Sequence, residues 1–265
     1  MKIAIVGAAG RMGQMLVRQI ARTDGCTLAG ASESSGSKAL GRDAGEVAGL
    51  DRTGVKITAD SAAAIAAAEV LIDFTVPAAT VAHAAIAADK GAGMVIGTTG
   101  LDAAQTAAIH AAARSVPIMW AANMSLGVNI LLALVEKTAS LLDPGYDIEI
   151  LEMHHRHKID APSGTALALG RAAAAGRKVE LDKVARKSRE GHTGARPAGE
   201  IGFATLRGGE EVGVHTVMFA AAGERLELSH RAFSRETYAS GAVMAAKWLE
   251  GKPPGLYGMK DVLGL

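Results

Sequence analysis

The sequence predicts an α/β protein of two domains, a doubly wound parallel sheet followed by a second α+β domain built on a mixed sheet. In residues 1–124, β-rich runs alternate with alanine-rich segments of helical spacing, which is the pattern of βαβ units on a parallel sheet. Beyond residue 178, strand-like runs are separated by turn signals such as Gly208-Gly209, which is typical of a mixed or antiparallel sheet. A chain of 265 residues is long enough to form two modest domains.

The elements of the first domain follow one another along the chain. Its strands are predicted at residues 3–6, 27–31, 70–74, 93–96 and 117–121. The segments 11–22, 78–90 and 101–115 are predicted to be helices, because apolar residues recur there at helical spacing and β-branched residues are few. Residues 34–54 are rich in glycine and serine and are predicted to form a loop.

The second domain is predicted to begin near Ser125, where the pattern of the sequence changes. Helices are expected at 127–142 and 166–175, and strands at 147–153, 201–206, 212–220 and 225–229. The last helix, at about 235–249, and the tail after it are expected to lie against the first domain. The predicted boundaries are therefore 1–124 plus about 235–265 for the first domain and about 125–234 for the second.

The composition favours small-molecule chemistry in the cytoplasm. With 49% hydrophobic residues, 21% charged residues and a net charge of +1, the chain has neither the composition of a disordered protein nor the basic footprint of a nucleic-acid-binding one. The single cysteine, Cys26, and a strand-like start without a basic, apolar leader predict a reducing compartment. Every apolar run is shorter than the roughly 20 residues that span a bilayer, so no membrane anchor is expected.

A glycine-rich turn, Gly7-Ala8-Ala9-Gly10-Arg11-Met12-Gly13, lies between the first strand and the first helix. Its three glycines would permit a tight turn, let the backbone approach a pyrophosphate and let the helix pack closely on the sheet. The amino-terminal end of that helix favours phosphate, and Arg11 could add a charged contact. The spacing G-x-x-G-x-x-G does not meet the strict G-x-G-x-x-G fingerprint, so a turn with no ligand is the alternative.

An acid at the end of the second strand strengthens the dinucleotide interpretation. Glu33 lies 20 residues beyond Gly13, where a carboxylate would bind the adenine ribose hydroxyls. The alternative is that Glu33 is a solvated strand end. The turn and the acid together predict a Rossmann-like domain that binds a pyridine nucleotide.

Three further loops follow predicted strands, at residues 73–77, 97–100 and 121–124. Ligands of open parallel sheets bind beyond the carboxyl ends of the strands, so these loops are expected to surround the nicotinamide half of the cofactor. A threonine or asparagine at such a place is also a common helix cap or turn residue. The prediction therefore depends on the coincidence of the three loops.

Residues 152–165 contain a dense basic cluster in which all five residues from His154 to Lys158 are titratable or cationic. A metal site is one alternative, but Arg156 and Lys158 would repel a cation and no second group of ligands lies nearby. Full exposure is the other alternative, and it is disfavoured because the cluster follows an apolar strand. Ser163-Gly164-Thr165 then precedes a helix whose amino-terminal end would also attract an anion. The cluster therefore predicts a substrate that carries carboxylates.

Six motifs occur together in the two predicted domains. They are Gly-Ala-Ala-Gly-Arg-Met-Gly at 7–13, Asp-Phe-Thr at 73–75, Gly-Thr-Thr-Gly at 97–100, Ala-Ala-Asn-Met-Ser at 121–125, His-His-Arg-His-Lys at 154–158 and Asp-Ala-Pro-Ser-Gly-Thr at 160–165. In these motifs the sequence resembles the 4-hydroxy-tetrahydrodipicolinate reductase (dihydrodipicolinate reductase) family. Loops at 188–194, 201–203 and 207–209 extend the resemblance over essentially the whole chain.

The resemblance implies a lysine and diaminopimelate pathway oxidoreductase that uses NADH or NADPH to reduce a small cyclic dicarboxylate to tetrahydrodipicolinate. It implies a homotetramer whose second-domain sheets associate. His154 would be the acid/base group and Lys158 the proton donor, and His155, Gly164 and Thr165 would hold the substrate. The residues that would line the cofactor are Gly7, Ala8, Ala9, Gly10, Arg11, Met12, Glu33, Gly97, Thr98, Thr99, Ala121, Ala122, Asn123 and Met124.

The sequence departs from the family at one position that bears on the cofactor. Family members that accept the 2′-phosphate of NADPH often carry a basic residue after the acid, whereas Ser34 follows Glu33 here. An acid without a cationic neighbour repels a phosphate, so NADH is expected to be used at least as well as NADPH.

Geometry limits how His154 and Lys158 could act together. On a straight strand they would stand roughly 13 Å apart, at about 3.3 Å per residue, so the backbone must bend or their roles must be separated.

Rival interpretations are a dehydrogenase with a cysteine nucleophile, a nucleotide-sensing module and a metal-dependent hydrolase. Cys26 lies away from the strand-end loops, and a sensor would leave residues 154–165 unexplained.

Overall fold

The computed structural model describes all residues from Met1 to Leu265, and the chain divides into two compact units. The first unit comprises Met1–Ser125 and Glu236–Leu265, and the second comprises Leu126–Arg235. In chain order the elements are β1 (Lys2–Val6), α1 (Arg11–Ala21), β2 (Thr27–Ser32), α2 (Ala44–Val47), α3 (Ser61–Ala66), β3 (Val70–Asp73), α4 (Pro77–Lys90), β4 (Gly93–Ile96), α5 (Ala103–Ala112), β5 (Pro117–Trp120), α6 (Leu126–Leu141), β6 (Asp147–His154), α7 (Gly164–Arg177), α8 (Leu181–Val184), β7 (Ala185–Arg186), β8 (Ile201–Arg207), β9 (Gly213–Ala220), β10 (Arg225–Ala232), α9 (Glu236–Trp248), β11 (Gly255–Tyr257) and α10 (Met259–Leu263).

The first unit is built on a six-stranded parallel sheet in the order β11-β5-β4-β3-β1-β2. Helices α1 and α9 pack together, and α3, α4 and α5 pack in series. Right-handed crossovers place these two groups on opposite faces of the sheet, which is the doubly wound arrangement. The predicted fold class is confirmed, and the five strands predicted here each agree with the structure to within one residue at either end.

The carboxyl ends of five strands lie at one level of this sheet. Val6 lies opposite both Ser32 and Asp73, Asp73 lies opposite Ile96, and Ile96 lies opposite Trp120. These are the last residues of β1 to β5. The loops predicted to surround a cofactor therefore emerge side by side at one edge of the sheet.

Four small elements of this unit, α2, α3, β11 and α10, are absent from the sequence prediction. The segment 34–54 contains the short helix α2, so the prediction that it forms a loop throughout is wrong. Asp43 caps α2 by accepting hydrogen bonds from the backbone N–H groups of Gly45 and Glu46, and from those of Thr53 and Gly54 further along the chain. Helix α3 has six residues and β11 has three, and β11 exists through its pairing with β5.

The second unit contains a five-stranded mixed sheet in the order β10-β9-β6-β8-β7. The central strand β6 is antiparallel to β9 and parallel to β8. Its side chains alternate between partly exposed and buried, because α6 and α7 cover only one face of the sheet. The core on the covered face includes Ile150, Leu169, Phe203 and Phe219. None of the helices in either unit is long and apolar enough to cross a membrane.

Candidate active site

The glycine turn after β1 has the geometry that a close backbone approach requires. Gly7 has φ of 69°, and a Cβ there would lie 2.9 Å from Thr75 Cγ2 of the loop after β3. A Cβ at Gly13 would collide with the Gly7 carbonyl, so only glycine lets α1 pack this closely, as predicted. The chain reverses direction across the sheet between β1 and β3, so the turn lies at the topological switch point where such folds bind ligands.

Helix α1 offers its amino-terminal end without a competing side chain. Gly10 is the N-cap residue, no side chain caps the helix and no acid lies in its first turn. The first N–H groups of an α-helix have no partners within the helix and carry its positive end. Together with the exposed Arg11, they make this end of α1 suitable for a phosphate.

Glu33 lies directly beside the glycine turn. One carboxylate oxygen accepts a hydrogen bond from the Ala9 N–H at 3.0 Å, and the other accepts one from the Ser34 N–H at 3.0 Å. The structure therefore brings together the acid and the turn that the sequence predicted to share a ligand. Because Oε1 is already held by the turn, the acid is fixed in place before any ligand arrives.

A buried network centred on Asp73 holds the next two loops. Asp73 accepts hydrogen bonds from the Thr75 N–H at 2.8 Å and from the Thr75 hydroxyl at 2.6 Å, and its second oxygen lies 2.8 Å from His83 Nδ1. The Thr98 hydroxyl also points into this network, 3.3 Å from Asp73 and 2.8 Å from the Thr80 hydroxyl that donates to it. Thr98 is only 4% exposed, so its hydroxyl serves the loop structure rather than a ligand.

The remaining predicted cofactor residues lie at the same edge of the sheet. The Phe74 ring packs on Gly97, where any side chain would collide with it, and Thr99 is exposed. The Ala121 N–H donates to the Ile96 carbonyl, and the Asn123 side chain accepts a hydrogen bond from the Ser125 N–H. The 121–124 loop therefore starts from a fixed position beside β4.

In the second unit the predicted basic cluster begins at the end of β6. The strand ends at His154, and a turn follows in which the Lys158 N–H donates to the His155 carbonyl at 3.1 Å. The backbone therefore bends after His154, which is one of the two alternatives that the distance along a straight strand left open. Lys158 Nζ binds both carboxylate oxygens of Asp160, at 2.7 and 2.9 Å. Arg156 and His157 are exposed whereas His154 is buried, so the cluster is not fully exposed, as expected.

Glu152, which the sequence reasoning missed, is the hub of this site. Its carboxylate is 1% exposed and accepts hydrogen bonds from both terminal nitrogens of Arg207, at 2.9 and 3.0 Å, and from the Ser163 N–H at 3.0 Å. Burial by itself would raise the pKa of Glu152, but the hydrogen bonds from Arg207 and His154 outweigh it and hold that pKa below its ordinary value. Glu152 is therefore ionised at neutral pH.

His154 Nδ1 lies 2.6 Å from Glu152 Oε2, and the His154 side chain is buried. Burial lowers the pKa of His154, and the positive charges of Lys158 and Arg207 add to this, while Glu152 offsets part of it. His154 is therefore neutral at neutral pH. Because an ionised carboxylate can only accept, the assignment that fits places the proton on Nδ1 and leaves the lone pair on Nε2.

A second buried histidine lies against the first. The rings of His154 and His215, which is on β9, are 5.1 Å apart and nearly perpendicular. Burial lowers the pKa of His215 to about 4, so this ring is also neutral at neutral pH. Its Nε2 lies 3.1 Å from the Ser163 hydroxyl, and that hydroxyl also accepts the Ala166 N–H and so caps α7.

His155 and the start of α7 complete the group. The backbone N–H of His155 donates to the Glu211 carbonyl. The side-chain Nε2 of His155 lies 3.4 Å from an Arg235 nitrogen. Its Nδ1 is buried and has no protein partner. Gly164 is exposed in open space at the amino-terminal end of α7, next to Thr165. The structure thus brings His154, His155 and Lys158 to the same strand end as the α7 N-cap residue.

No three His, Cys, Asp or Glu side chains are grouped so that they could hold a metal ion.

The fold and these residues define a class of protein. A parallel sheet with a dinucleotide-type turn is joined to a unit that carries ionisable groups at a strand end, which is the organisation of a two-domain oxidoreductase that uses a pyridine nucleotide.

Comparisons with known proteins identify the family within this class. Residues 1–124 match the family described as "Dihydrodipicolinate reductase, N-terminus", and residues 127–263 match "Dihydrodipicolinate reductase, C-terminus". The chain therefore belongs to the dihydrodipicolinate reductase family, as its motifs predicted.

Similar full-length proteins and a solved structure agree with this assignment. A protein from Cupriavidus metallidurans named 4-hydroxy-tetrahydrodipicolinate reductase is 57% identical over 265 residues, which is 100% of both chains. One of the same name from Rhodopseudomonas palustris is 55% identical over 100% of this chain and 98% of its own. The structure of a dipicolinate-bound dihydrodipicolinate reductase from Paenisporosarcina sp. TG-14 has a TM-score of 0.77 at 22% identity, with 98% of each chain covered, and shares the fold.

Proposed function

We propose that this protein uses NADH or NADPH to reduce 4-hydroxy-tetrahydrodipicolinate to tetrahydrodipicolinate in the synthesis of lysine and diaminopimelate. The observation that carries the proposal is the cluster of His154, His155 and Lys158 beside the amino-terminal end of α7, in a chain whose full-length relatives bear the name of this reaction. The dipicolinate in the related structure is a cyclic dicarboxylate, which is the substrate chemistry that such a cluster suits.

The first unit is the proposed dinucleotide-binding domain. The crowded glycine turn, the uncapped start of α1 and the fixed Glu33 fit a pyrophosphate and a ribose. Bound there, NADH or NADPH would supply the hydride. The residues proposed to line it are Gly7, Ala8, Ala9, Gly10, Arg11, Met12, Glu33, Gly97, Thr98, Thr99, Ala121, Ala122, Asn123 and Met124, with Thr98 acting through its backbone.

The second unit is the proposed substrate-binding domain, and three features there favour an anion. The buried Nδ1 of His155 has no protein partner, and because Arg235 can only donate to Nε2, a neutral His155 carries its proton on Nδ1. Gly164 and Thr165 lie in the first turn of α7, whose positive end attracts an anion. We assign these three residues to the substrate carboxylates.

Lys158 and His154 have separate tasks in the proposed reaction. Conversion of the hydroxylated ring to tetrahydrodipicolinate takes up one hydride and one proton and releases water. The Lys158 ammonium can give the proton to the ring as electron density arrives there. His154, which is neutral with a free Nε2 lone pair in the absence of ligand, can accept a proton near a bound dicarboxylate and then act as an acid. Both groups would stabilise the substrate's negative charge.

NADH is proposed to serve at least as well as NADPH. The Glu33 carboxylate would accept hydrogen bonds from ribose hydroxyls but would repel a 2′-phosphate, and Ser34 supplies no compensating charge.

A homotetramer is the proposed assembly. One face of the second sheet has no helix covering it, and its apolar side chains include Leu151, Met153, Leu206 and Met218. An apolar sheet face of this kind suits association with a second copy.

The single cysteine fits a reducing compartment, and we place the enzyme in the cytoplasm.

The proposed function can be tested with the product of dihydrodipicolinate synthase as substrate. The purified protein should oxidise NADH only when that product is supplied, and His154→Ala and Lys158→Ala should lose turnover while still binding NADH. If wild-type protein binds NADH but does not oxidise it with this substrate, the nucleotide-sensing interpretation replaces the proposed function.

A further inference from the structure

The carboxylate of Glu152 is surrounded by donors that come from three different elements. Arg207 at the end of β8 binds both of its oxygens, the Ser163 N–H before α7 binds Oε1, and His154 Nδ1 lies 2.6 Å from Oε2. Glu152 is almost fully buried, on the same face of β6 as His154. A carboxylate that is this well satisfied has no freedom to turn away from the histidine.

This arrangement constrains the chemistry of His154. A carboxylate that is paired with an arginine stays ionised and can only accept, so the nitrogen facing it must carry the proton. The other nitrogen, Nε2, lies on the side of Gly213, where a Cβ would come within 3.1 Å of it. The His154 ring therefore has one nitrogen held by the protein and one on the side of a residue without a side chain.

We propose that Glu152 is a positioning residue that holds His154 with Nδ1 protonated and Nε2 free for the reaction, and that Arg207 holds Glu152 in place. This inference rests on the proposed function, because it assigns His154 a role in proton transfer. Glu152 and Arg207 act through His154 and do not themselves need to touch the substrate.

The same carboxylate also connects the acid/base group to the proposed substrate site. Ser163, whose N–H binds Glu152 Oε1, is the N-cap residue of α7, and Gly164 and Thr165 follow it directly. His154 and the start of α7 are therefore held by two oxygens of one side chain. Loss of that side chain should disturb both the ring orientation and the position of the first turn of α7.

The ionisable groups around His154 come from four parts of the second unit. They are Glu152 on β6, Arg207 on β8, His215 on β9 and Lys158 in the turn after β6. Glu152 raises the pKa of His154, whereas Arg207 and Lys158 lower it. Removal of Glu152 and removal of Arg207 should therefore shift the His154 pKa in opposite directions.

The chain contains a matched control on the same strand. Glu149 is also a carboxylate bound by arginines, Arg189 and Arg196, but it lies on the opposite face of β6. Like Glu152 it is paired with arginine, but it has no contact with His154 or with the Ser163 N–H, and its side chain is 28% exposed whereas that of Glu152 is 1% exposed. Glu149→Gln therefore reports on the general effect of neutralising a buried or half-buried carboxylate in this sheet.

The test is a titration of His154 by NMR in the full-length protein labelled with ¹³C at histidine Cε1, with the His154 signal identified by its loss in His154→Gln. Relative to wild type, Glu152→Gln should lower the His154 midpoint and Arg207→Gln should raise it, while Glu149→Gln should leave it in place. Glu152→Asp keeps the charge and should lie between wild type and Glu152→Gln. This readout requires no turnover.

The same variants are then compared in kcat against pH, where Glu152→Gln should lose about 10- to 100-fold, the loss that is typical when a carboxylate that orients a metal-bound histidine is removed. The part of the pH profile of kcat that reflects the titration of His154 should shift in the same direction as the NMR midpoint. If Glu152→Gln and Arg207→Gln leave the NMR midpoint unchanged or shift it in the same direction, the positioning role is overturned. A different result would overturn the proposed function. It is the failure of both the wild-type protein and Glu149→Gln to turn over the substrate, whatever the titration shows.

Discussion

His154 and Lys158 are four residues apart in the sequence and lie in different surroundings. His154 is buried between Glu152 and His215, whereas Lys158 lies in the following turn and pairs with Asp160. A buried neutral imidazole and a partly accessible ammonium can divide the handling of a proton. In the proposed reaction, burial and not sequence distance would therefore determine which of the two residues accepts the proton and which delivers it.

Lys158→Met should lower kcat by about 10²- to 10⁴-fold, the usual contribution of a general acid. The Kd for NADH should not change, because Lys158 belongs to the second unit and the proposed cofactor residues belong to the first. His157→Ala is the control from the same cluster, since the His157 side chain is 71% exposed, and it should retain wild-type turnover. Steady-state kinetics and NADH fluorescence titration check both results. Equal losses in the two variants would contradict a specific role for Lys158.

Ser34→Arg should raise kcat/KM for NADPH by about tenfold relative to NADH, the effect of one charge-assisted contact of roughly 1.4 kcal/mol. The physical reason is that Glu33 is held beside the glycine turn by the Ala9 N–H and leaves an uncompensated negative charge where a 2′-phosphate would lie. The comparison is kcat/KM for both cofactors in wild type and variant. A strong NADPH preference in the wild-type protein would defeat the argument.

At the residue scale, the sequence could predict side chains whose role follows from local spacing. Gly13 and Glu33 are examples, because their distance from the first strand determines where they lie. Glu152 and Arg207 could not be found in this way, since their pairing depends on the register of β6 with β8, which are about 50 residues apart. The inward orientation of the Thr98 hydroxyl likewise depends on Asp73 and Thr80, which belong to other elements.

Short elements depend on individual polar contacts more than long ones do, and α2 is the clearest case. The four hydrogen bonds from backbone N–H groups outweigh the effect of burial and lower the pKa of Asp43 from 3.8 to about 2. A carboxyl whose pKa is lowered by folding stabilises the folded state above its unfolded pKa and loses this effect as pH falls through the folded pKa.

Asp43→Asn should therefore lower the free energy of unfolding by about 1 to 3 kcal/mol at pH 7, the value of hydrogen bonds to a charged group. The difference from wild type should begin to shrink below pH 4 and continue to shrink toward pH 2. Urea unfolding at several pH values measures it. A difference that is as large at pH 3 as at pH 7 would show that the charge of Asp43 does not stabilise this segment.

At the element scale, periodicity was sufficient for the long helices and the central strands. It missed α2, α3, β11 and α10 in the first unit and α8 and β7 in the second, and none of these has more than six residues. Elements this short carry too few residues for a periodic pattern, and they form because of tertiary contacts such as the pairing of β11 with β5. The same limit explains why the segment 34–54 was predicted to be a loop throughout.

The whole molecule is proposed to work as a tetramer that associates through the uncovered face of the second sheet. Leu206→Glu places a charge on that face and should produce smaller species in sedimentation velocity. Leu134→Glu is a matched control, because Leu134 lies on α6 and both leucines are 48% exposed. Leu134→Glu should sediment like wild type. A wild-type monomer, or a Leu206→Glu protein that sediments like wild type, would contradict the proposed interface.

The most direct test of the account is a measurement of hydride transfer itself. Wild-type protein is incubated with the product of dihydrodipicolinate synthase and with NADH in which both hydrogens at C4 of the nicotinamide are deuterium, and the products are analysed by mass spectrometry. The expected product is tetrahydrodipicolinate that contains one deuterium, formed in a one-to-one ratio with NAD⁺. If the cyclic dicarboxylate is recovered without deuterium while NADH binds normally, the chain is not the reductase that its family, fold and site indicate.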